Sequence, residues 1–128
     1  QNNNKVLSNS KISILGLCYK KNIPDIRLSP ALEIISILKE KNANFAVCDP
    51  LYENQKAQID IDLSPIEDVF DDSDAILLVT DHDIFGNLDF KNIKNKMKSH
   101  LIIDGRNFFQ KHEIEKFGFK YRVIGKPQ

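Results

Sequence analysis

Short apolar runs alternate along this chain with stretches whose apolar residues recur every three or four positions. Lys11-Ile12-Ser13-Ile14-Leu15, closed by Gly16, is rich in β-branched residues and predicts a first strand. Ser29-Pro30 then carries a helix start, serine as N-cap and proline in the first turn. Ala31, Ile34, Ile35 and Leu38 follow at helical spacing, and Asn42 is a plausible stop. Asn44 to Cys48 predicts the second strand, ended by the turn Asp49-Pro50. Ser64-Pro65-Ile66-Glu67 has the form of a capping box and predicts a short helix to about Phe70. Ala75 to Val79 is apolar throughout, as a strand covered on both faces should be. A helix striped by Phe90, Ile93 and Met97, a strand over Leu101 to Ile103, a short helix from His112 to Phe117 and a final strand from Tyr121 to Ile124 complete the pattern.

Five strands with helices between them argue for an α/β domain with three layers. Such a domain is doubly wound and Rossmann-like, its five strands mainly parallel, and the common order 3-2-1-4-5 is the expectation. In such a sheet the ligand crevice lies beyond the carboxyl ends of the strands, here between the loops after strands one and four. The first of these loops runs from Gly16 to Ser29, well beyond the usual length of about two to six residues. It lacks the glycine pattern of a dinucleotide fingerprint, because Cys18 and Lys21 stand where glycines would be needed. What it carries instead is Tyr19, Lys20, Lys21 and Arg27, and Arg106 follows strand four. Two of the three arginines in the chain therefore fall on the two loops expected to flank the crevice. Converging ammonium and guanidinium groups make a phosphate or carboxylate site, and guanidinium adds a planar two-point grip. From spacing alone, Arg27 pairs with Asp25 or Glu33, and Arg106 with a neighbouring acid, as readily as either meets an anion. Asp81-His82-Asp83 has no accompanying nucleophile and reads as a loop-structuring element.

Composition narrows the classes. Of 128 residues, 41% are apolar and 28% charged, which excludes wholesale disorder. Eighteen basic and eighteen acidic residues cancel, so neither nucleic acid nor an anionic membrane is an expected partner. No apolar run approaches the ~18 residues of a membrane span. Two cysteines do not make a disulfide framework, and a cytoplasmic protein with free thiols is the plain reading. Cys18, Cys48, His82, His100 and His112 show no metal-ligand spacing. The asparagine-rich start through Ser10 reads as a linker or frayed terminus ahead of one domain over residues 11–128, in a fragment of something longer.

Five blocks occur in order: Gly16-Leu17-x-Tyr19-Lys20, Asp25-x-Arg27-x-Ser29-Pro30-Ala31, Asp49-Pro50, Thr80-Asp81-His82 and Asp104-x-Arg106-Asn107. Together they resemble the C-terminal domain of the UDP-glucose/GDP-mannose dehydrogenase family, over roughly residues 11–125. The resemblance implies a parent enzyme of polysaccharide biosynthesis, a homo-oligomer that oxidises the C6 alcohol of a UDP-sugar to the uronate with two NAD⁺. It also implies an N-terminal NAD-binding domain and a central helical region as partners of this domain in the parent chain. Carried over by position, Tyr19, Lys20 and Arg106 are substrate contacts, and Arg27 reaches toward NAD held mainly by the N-terminal domain. Tyr19-Lys20-Lys21 and Thr80-Asp81-His82 look more like the UDP-N-acetylhexosamine dehydrogenases than the UDP-glucose type. Leu28 departs from the family's frequent glutamate, and Cys18 stands where alanine is usual. No catalytic residue is expected in this stretch, since nothing matches the family's glycine-flanked cysteine, and the 128 residues alone should be inactive. The alternative is a stand-alone nucleotide-binding or regulatory module without chemistry.

Overall fold

The computed structural model describes residues 10–52 and 61–124. The expected linker over residues 1–10 lies outside them except for Ser10. Five strands form one parallel sheet: β1 (Lys11–Leu15), β2 (Asn44–Cys48), β3 (Ala75–Leu78), β4 (Leu101–Asp104) and β5 (Lys120–Val123). Helices α1 (Pro30–Glu40), α2 (Phe90–Lys96) and α3 (Lys111–Lys116) and a 3₁₀ turn over Asp83–Asn87 make the connections.

The helix α1 begins as its sequence dictates. Ser29 has extended backbone and its side chain accepts from the Ala31 amide at 3.1 Å, while Pro30, whose missing N–H costs nothing there, opens the first turn. At the other end Asn42 takes a left-handed conformation (φ 58°), and Ala43 N–H returns to Leu38 O at 2.9 Å. The face built from Ala31, Ile35 and Leu38 packs on Ile14, Val47 and Val79. On the opposite side of the sheet Leu15, Ile76, Leu78 and Ile102 pack against Phe90, Ile93 and Ile114 from α2 and α3, with Val69 and Phe70. The three-layer, doubly wound α/β architecture is thus as the alternation of elements predicts.

The strand order is not. The sheet runs β2-β1-β3-β4-β5, and β1 and β4 are separated by β3. The outer edge of β2, where the order 3-2-1-4-5 would put β3, is taken by the chain itself. Leu63 bridges to Val47 there, and Ser64 N–H donates to Val47 O at 2.7 Å. The connection then returns across β1, where Ser13 Oγ donates to Val69 O at 2.7 Å and bonds to Ser73 Oγ. Asp74 N–H donates to Lys11 O at 2.8 Å, and Lys11 N–H to the Asp74 carboxylate at 3.0 Å. These bonds deliver β3 to the free edge of β1. Because the β1–β2 crossover alone runs in its direction, a right-handed rule puts α1 on one face and the other connections on the opposite one. The capping-box stretch 64–70 is a run of turns rather than a helix: Val69 N–H reaches Pro65 O, but Asp71 N–H pairs with Asp68 O and Ser73 N–H with Phe70 O.

Candidate functional site

With this order the direction of winding reverses at β1, so the crevice is bounded by the loops after β1 and β3 rather than β1 and β4. The β1 loop leaves the sheet at Gly16, whose φ of +99° suits glycine alone. A Cβ there would lie 2.5 Å from both Cβ and N of Thr80, so glycine also permits the close approach of the two strand ends. Beyond it, the loop is held from below by buried side chains. Asp49, at the end of β2, accepts through one carboxylate oxygen from Leu17 N–H at 2.6 Å, Cys18 N–H at 3.1 Å and His82 Nε2 at 3.0 Å. Its other oxygen accepts from Leu51 N–H at 3.0 Å and closes the Asp49-Pro50 turn. Thr80 Oγ1 donates to Cys18 O, and His82 Nδ1 accepts from Asn22 N–H at 2.7 Å.

The β4 loop has a second organiser. Asp104 accepts from Arg106 N–H at 2.9 Å, from Phe108 and Phe109 N–H at 2.8 Å each, and from the Tyr121 hydroxyl at 2.6 Å. Both aspartates are fully buried. Gly105, between them and the arginine, donates to Leu78 O at 2.9 Å, and a Cβ there would meet that carbonyl at 2.7 Å.

The four residues singled out from the sequence fall as follows. Arg106 leans back over the end of β3: its Nε donates to Val79 O at 2.8 Å and its Nη2 to Tyr19 O at 3.1 Å. It therefore reaches the β1 loop although β3 lies between, because a guanidinium on its long stem can span one strand. Tyr19 and Lys20 are exposed and line a cavity of ≈ 550 Å³ with Ile23, Asp25, Arg27 and Leu28. Arg106 lines the neighbouring hollow of ≈ 340 Å³ with Pro30, Ile34 and the end of β3. The Arg106–Tyr19 bond links a residue of one hollow to a residue of the other. Arg27 borders the first hollow, but its guanidinium makes a two-point pair with Asp25, at 3.0 Å from Nε and 2.7 Å from Nη2, on an open surface. The local pairing open in the sequence is the one seen for Arg27, and for Arg106 the partners are carbonyls rather than an acid.

Electrostatics follow this geometry. The hydrogen bonds from Arg27, side chain then backbone, hold Asp25 down at about 2. Burial pushes the Asp49 carboxyl up, but the bond from His82, the Leu17 amide and the Cys18 thiol outweigh it, and the group lies below the ordinary carboxylate range. Burial first, and the Asp49 charge second, push the Cys18 thiol up to about 12, so it is not a nucleophile. Burial and Asp104 raise the Tyr121 phenol.

Cys18, Asp49 and His82 bring three potential ligand atoms within 4.8 Å of one another, from segments the sequence spacing did not connect. Their polar atoms are already engaged: the carboxylate oxygen takes two amides and the ring, and Nδ1 takes the Asn22 amide. The cluster is a hydrogen-bonded core element. From the sequence Asp49 reads as a turn and His82 as loop structure, Asp104 enters only within the block Asp104-x-Arg106-Asn107, and Tyr121 only within the last strand. Besides those blocks, a signal for the two organisers is an aspartate at the end of each of two apolar strands.

Residues 13–111 match the profile of the UDP-glucose/GDP-mannose dehydrogenase family, UDP binding domain. The chain is 37% identical over 122 residues to the UDP-glucose 6-dehydrogenase of Rhizobium meliloti, which covers 92% of this chain and 28% of that protein. It is 34% identical over 118 residues to the UDP-N-acetyl-D-mannosamine dehydrogenase of Methanococcus maripaludis, 90% of this chain and 27% of the relative. Among solved structures, NDP-N-acetyl-D-galactosaminuronic acid dehydrogenase from Methanosarcina mazei superposes with a TM-score of 0.80 at 28% identity, over 94% of this chain and 26% of that one. The UDP-D-ManNAc dehydrogenase of Pyrococcus horikoshii gives 0.75 at 31% identity, over 92% and 26%. The chain thus spans under a third of the length of the relatives it matches. Profile, fold and strand-end motifs agree, and the chain belongs to the UDP-glucose/GDP-mannose dehydrogenase family, as its UDP-binding domain.

Proposed function

We propose that this chain is the nucleotide-sugar-binding part of an NAD-dependent UDP-sugar 6-dehydrogenase, with Tyr19, Lys20 and Arg106 as substrate contacts. The observation that carries the reading is the bond from Arg106 to the Tyr19 carbonyl. It draws the chain's candidate anion-binding arginine to the exposed Tyr19-Lys20 pair at the carboxyl edge of the sheet. An ammonium and a guanidinium linked through the Arg106–Tyr19 bond suit a diphosphate, and the Tyr19 ring offers a face to a base or sugar. Thr80-Asp81-His82 and Tyr19-Lys20-Lys21 favour an N-acetylhexosamine as the sugar. Relatives named for both UDP-glucose and UDP-N-acetylmannosamine match this chain at similar identity, so the sugar is to be fixed by titration.

These residues do not fit a whole dinucleotide. The β1 loop keeps Gly16 alone of the fingerprint, and the amide-rich start of α1 is closed by Ser29 and Pro30. Arg27 is the one group proposed to face NAD, from its exposed loop. Cys18 and Cys48 are both buried and the Cys18 thiol is raised, so the chemical step is assigned to the remainder of a longer, homo-oligomeric parent in the cytoplasm.

Titration of the 128-residue chain with UDP-N-acetylglucosamine, UDP-N-acetylmannosamine and UDP-glucose tests the reading by NMR. A half-site should bind with a Kd between about 0.1 and 1 mM, with shifts in residues 16–29 and 104–108. Arg106→Ala should weaken binding about ten- to a hundred-fold, since hydrogen bonds to charged groups contribute about 1.5–3 kcal/mol. Arg27→Ala should leave it unchanged. Shifts clustered elsewhere, or equal loss in both variants, would remove the site from this edge; NADH formation from a UDP-sugar by the chain alone would overturn the division of labour.

A further inference from the structure

The exposed pair Tyr19-Lys20 sits on a loop whose neighbouring residues are gripped from beneath. Leu17 and Cys18 amides end on Asp49, and the Cys18 carbonyl takes the Thr80 hydroxyl. Four residues later the Asn22 amide ends on His82 Nδ1 at 2.7 Å, in a left-handed turn (φ 61°). His82 Nε2 is itself 3.0 Å from the Asp49 oxygen that holds the other end. An amide N–H can only donate, so Nδ1 carries no proton, and the ring proton sits on Nε2 and points at the carboxylate. One buried histidine thereby joins the two ends of the segment 17–22 through a single acid.

We propose that His82 is a positioning residue for the substrate loop: in its Nε2–H tautomer it ties Asn22 to Asp49 and fixes where Lys20 and Tyr19 stand. The ring is fully buried and lies 5.7 Å from Phe85, so its orientation is set by packing before any ligand arrives. Asn22 adds a reciprocal pair with Asp83, side-chain amide to carboxylate and Asp83 N–H to side-chain carbonyl, each at 3.0 Å. Those bonds are exposed, whereas the bond to the buried His82 ring is part-buried, and a bond with less access to water holds a loop better than an open one. Pre-ordering the loop removes an ordering cost from binding. The role of His82 in affinity rests on the reading of Tyr19 and Lys20 as substrate contacts; the tie itself does not.

Two measurements separate these. In the wild-type chain, imidazole ¹⁵N spectra at neutral pH should show a protonated Nε2 and a bare, hydrogen-bonded Nδ1; an Nδ1–H tautomer or a doubly protonated ring overturns the proposal. His82→Phe keeps the ring volume and removes both bonds, while His82→Asn keeps an acceptor near the Nδ1 position. Amide exchange at Asn22 should rise at least tenfold in His82→Phe, with sheet amides unmoved, and be partly restored in His82→Asn. Affinity for UDP-N-acetylglucosamine should fall about tenfold in His82→Phe and recover in His82→Asn. If the wild type binds no UDP-sugar, the substrate reading fails and the exchange data still decide the tie. If it binds and all three proteins bind alike, the positioning role is wrong.

Discussion

Asp49 and Asp104 stand within one residue of the same level in the sheet, each just beyond or at the end of an apolar strand, and each is fully buried. Both turn a strand end into an organised loop by accepting backbone amides. They differ in the side-chain donor that completes the set. Asp104 takes a tyrosine hydroxyl from the next strand, β5, a group raised still further from titration by its burial. Asp49 takes an imidazole from the loop after β3, and that imidazole passes the hold on to Asn22. One aspartate closes a local turn around Arg106; the other couples three strand ends through a histidine. An anion buried at a strand end is therefore tolerated when amides surround it, and what it can do beyond the turn depends on its last donor.

Each aspartate gathers three amides, and removing one carboxylate outright should cost most. Asp104→Ala leaves three amides and a hydroxyl without their acceptor, and we expect a loss of about 3–5 kcal/mol in urea unfolding, or no folded protein. Asp49→Asn should cost about 2–3 kcal/mol, because the carboxamide keeps one acceptor but turns a donor toward other donors. Asp49→Asn should also separate from the wild type by pH. The Asp49 pKa is lowered on folding, so its contribution is fully present above the unfolded value of about 3.9 and is lost as pH falls through the folded value. Below about pH 4 the wild-type stability should therefore fall more steeply than that of Asp49→Asn, as read by unfolding at a series of pH values. A parallel acid limb in both proteins would mean that the coupling to His82 adds nothing to ionisation.

Tyr121→Phe tests the quieter partner. It removes one hydroxyl donor to Asp104 and to Phe109 O and leaves the amides in place, so a loss of about 1 kcal/mol is expected, with no change at Asn22. Smallest is Arg27→Ala, where the pair with Asp25 is open to solvent. Carboxyl ¹³C titration should show Asp25 returning from about 2 to near its ordinary 3.8, with the urea midpoint unchanged.

The elements were legible because their causes are local. The Ser29-Pro30 cap, the Ala31–Ile35–Leu38 stripe and the β-branched runs act within a few residues, and each appears where its pattern predicts. The Arg27–Asp25 pair, two residues apart, was among the pairings the spacing left open. The capping box at Ser64 misled because its glutamate precedes no apolar helical stripe, and turns satisfied the backbone instead.

By itself the sequence determined a parallel α/β domain, the capped start of α1, and which charged residues lie on loops at the carboxyl edge. Only the tertiary structure decided the strand order, since that depends on which edge of β1 and β2 is left open after Leu63 and Ser64 bond to Val47. It alone brought Arg106 to Tyr19, 87 residues away, and His82 to both Asp49 and Asn22, 33 and 60 residues away. Propensity and periodicity are read over one turn or one strand. A bond between residues so far apart exists only once the packed sheet has set the distance between them.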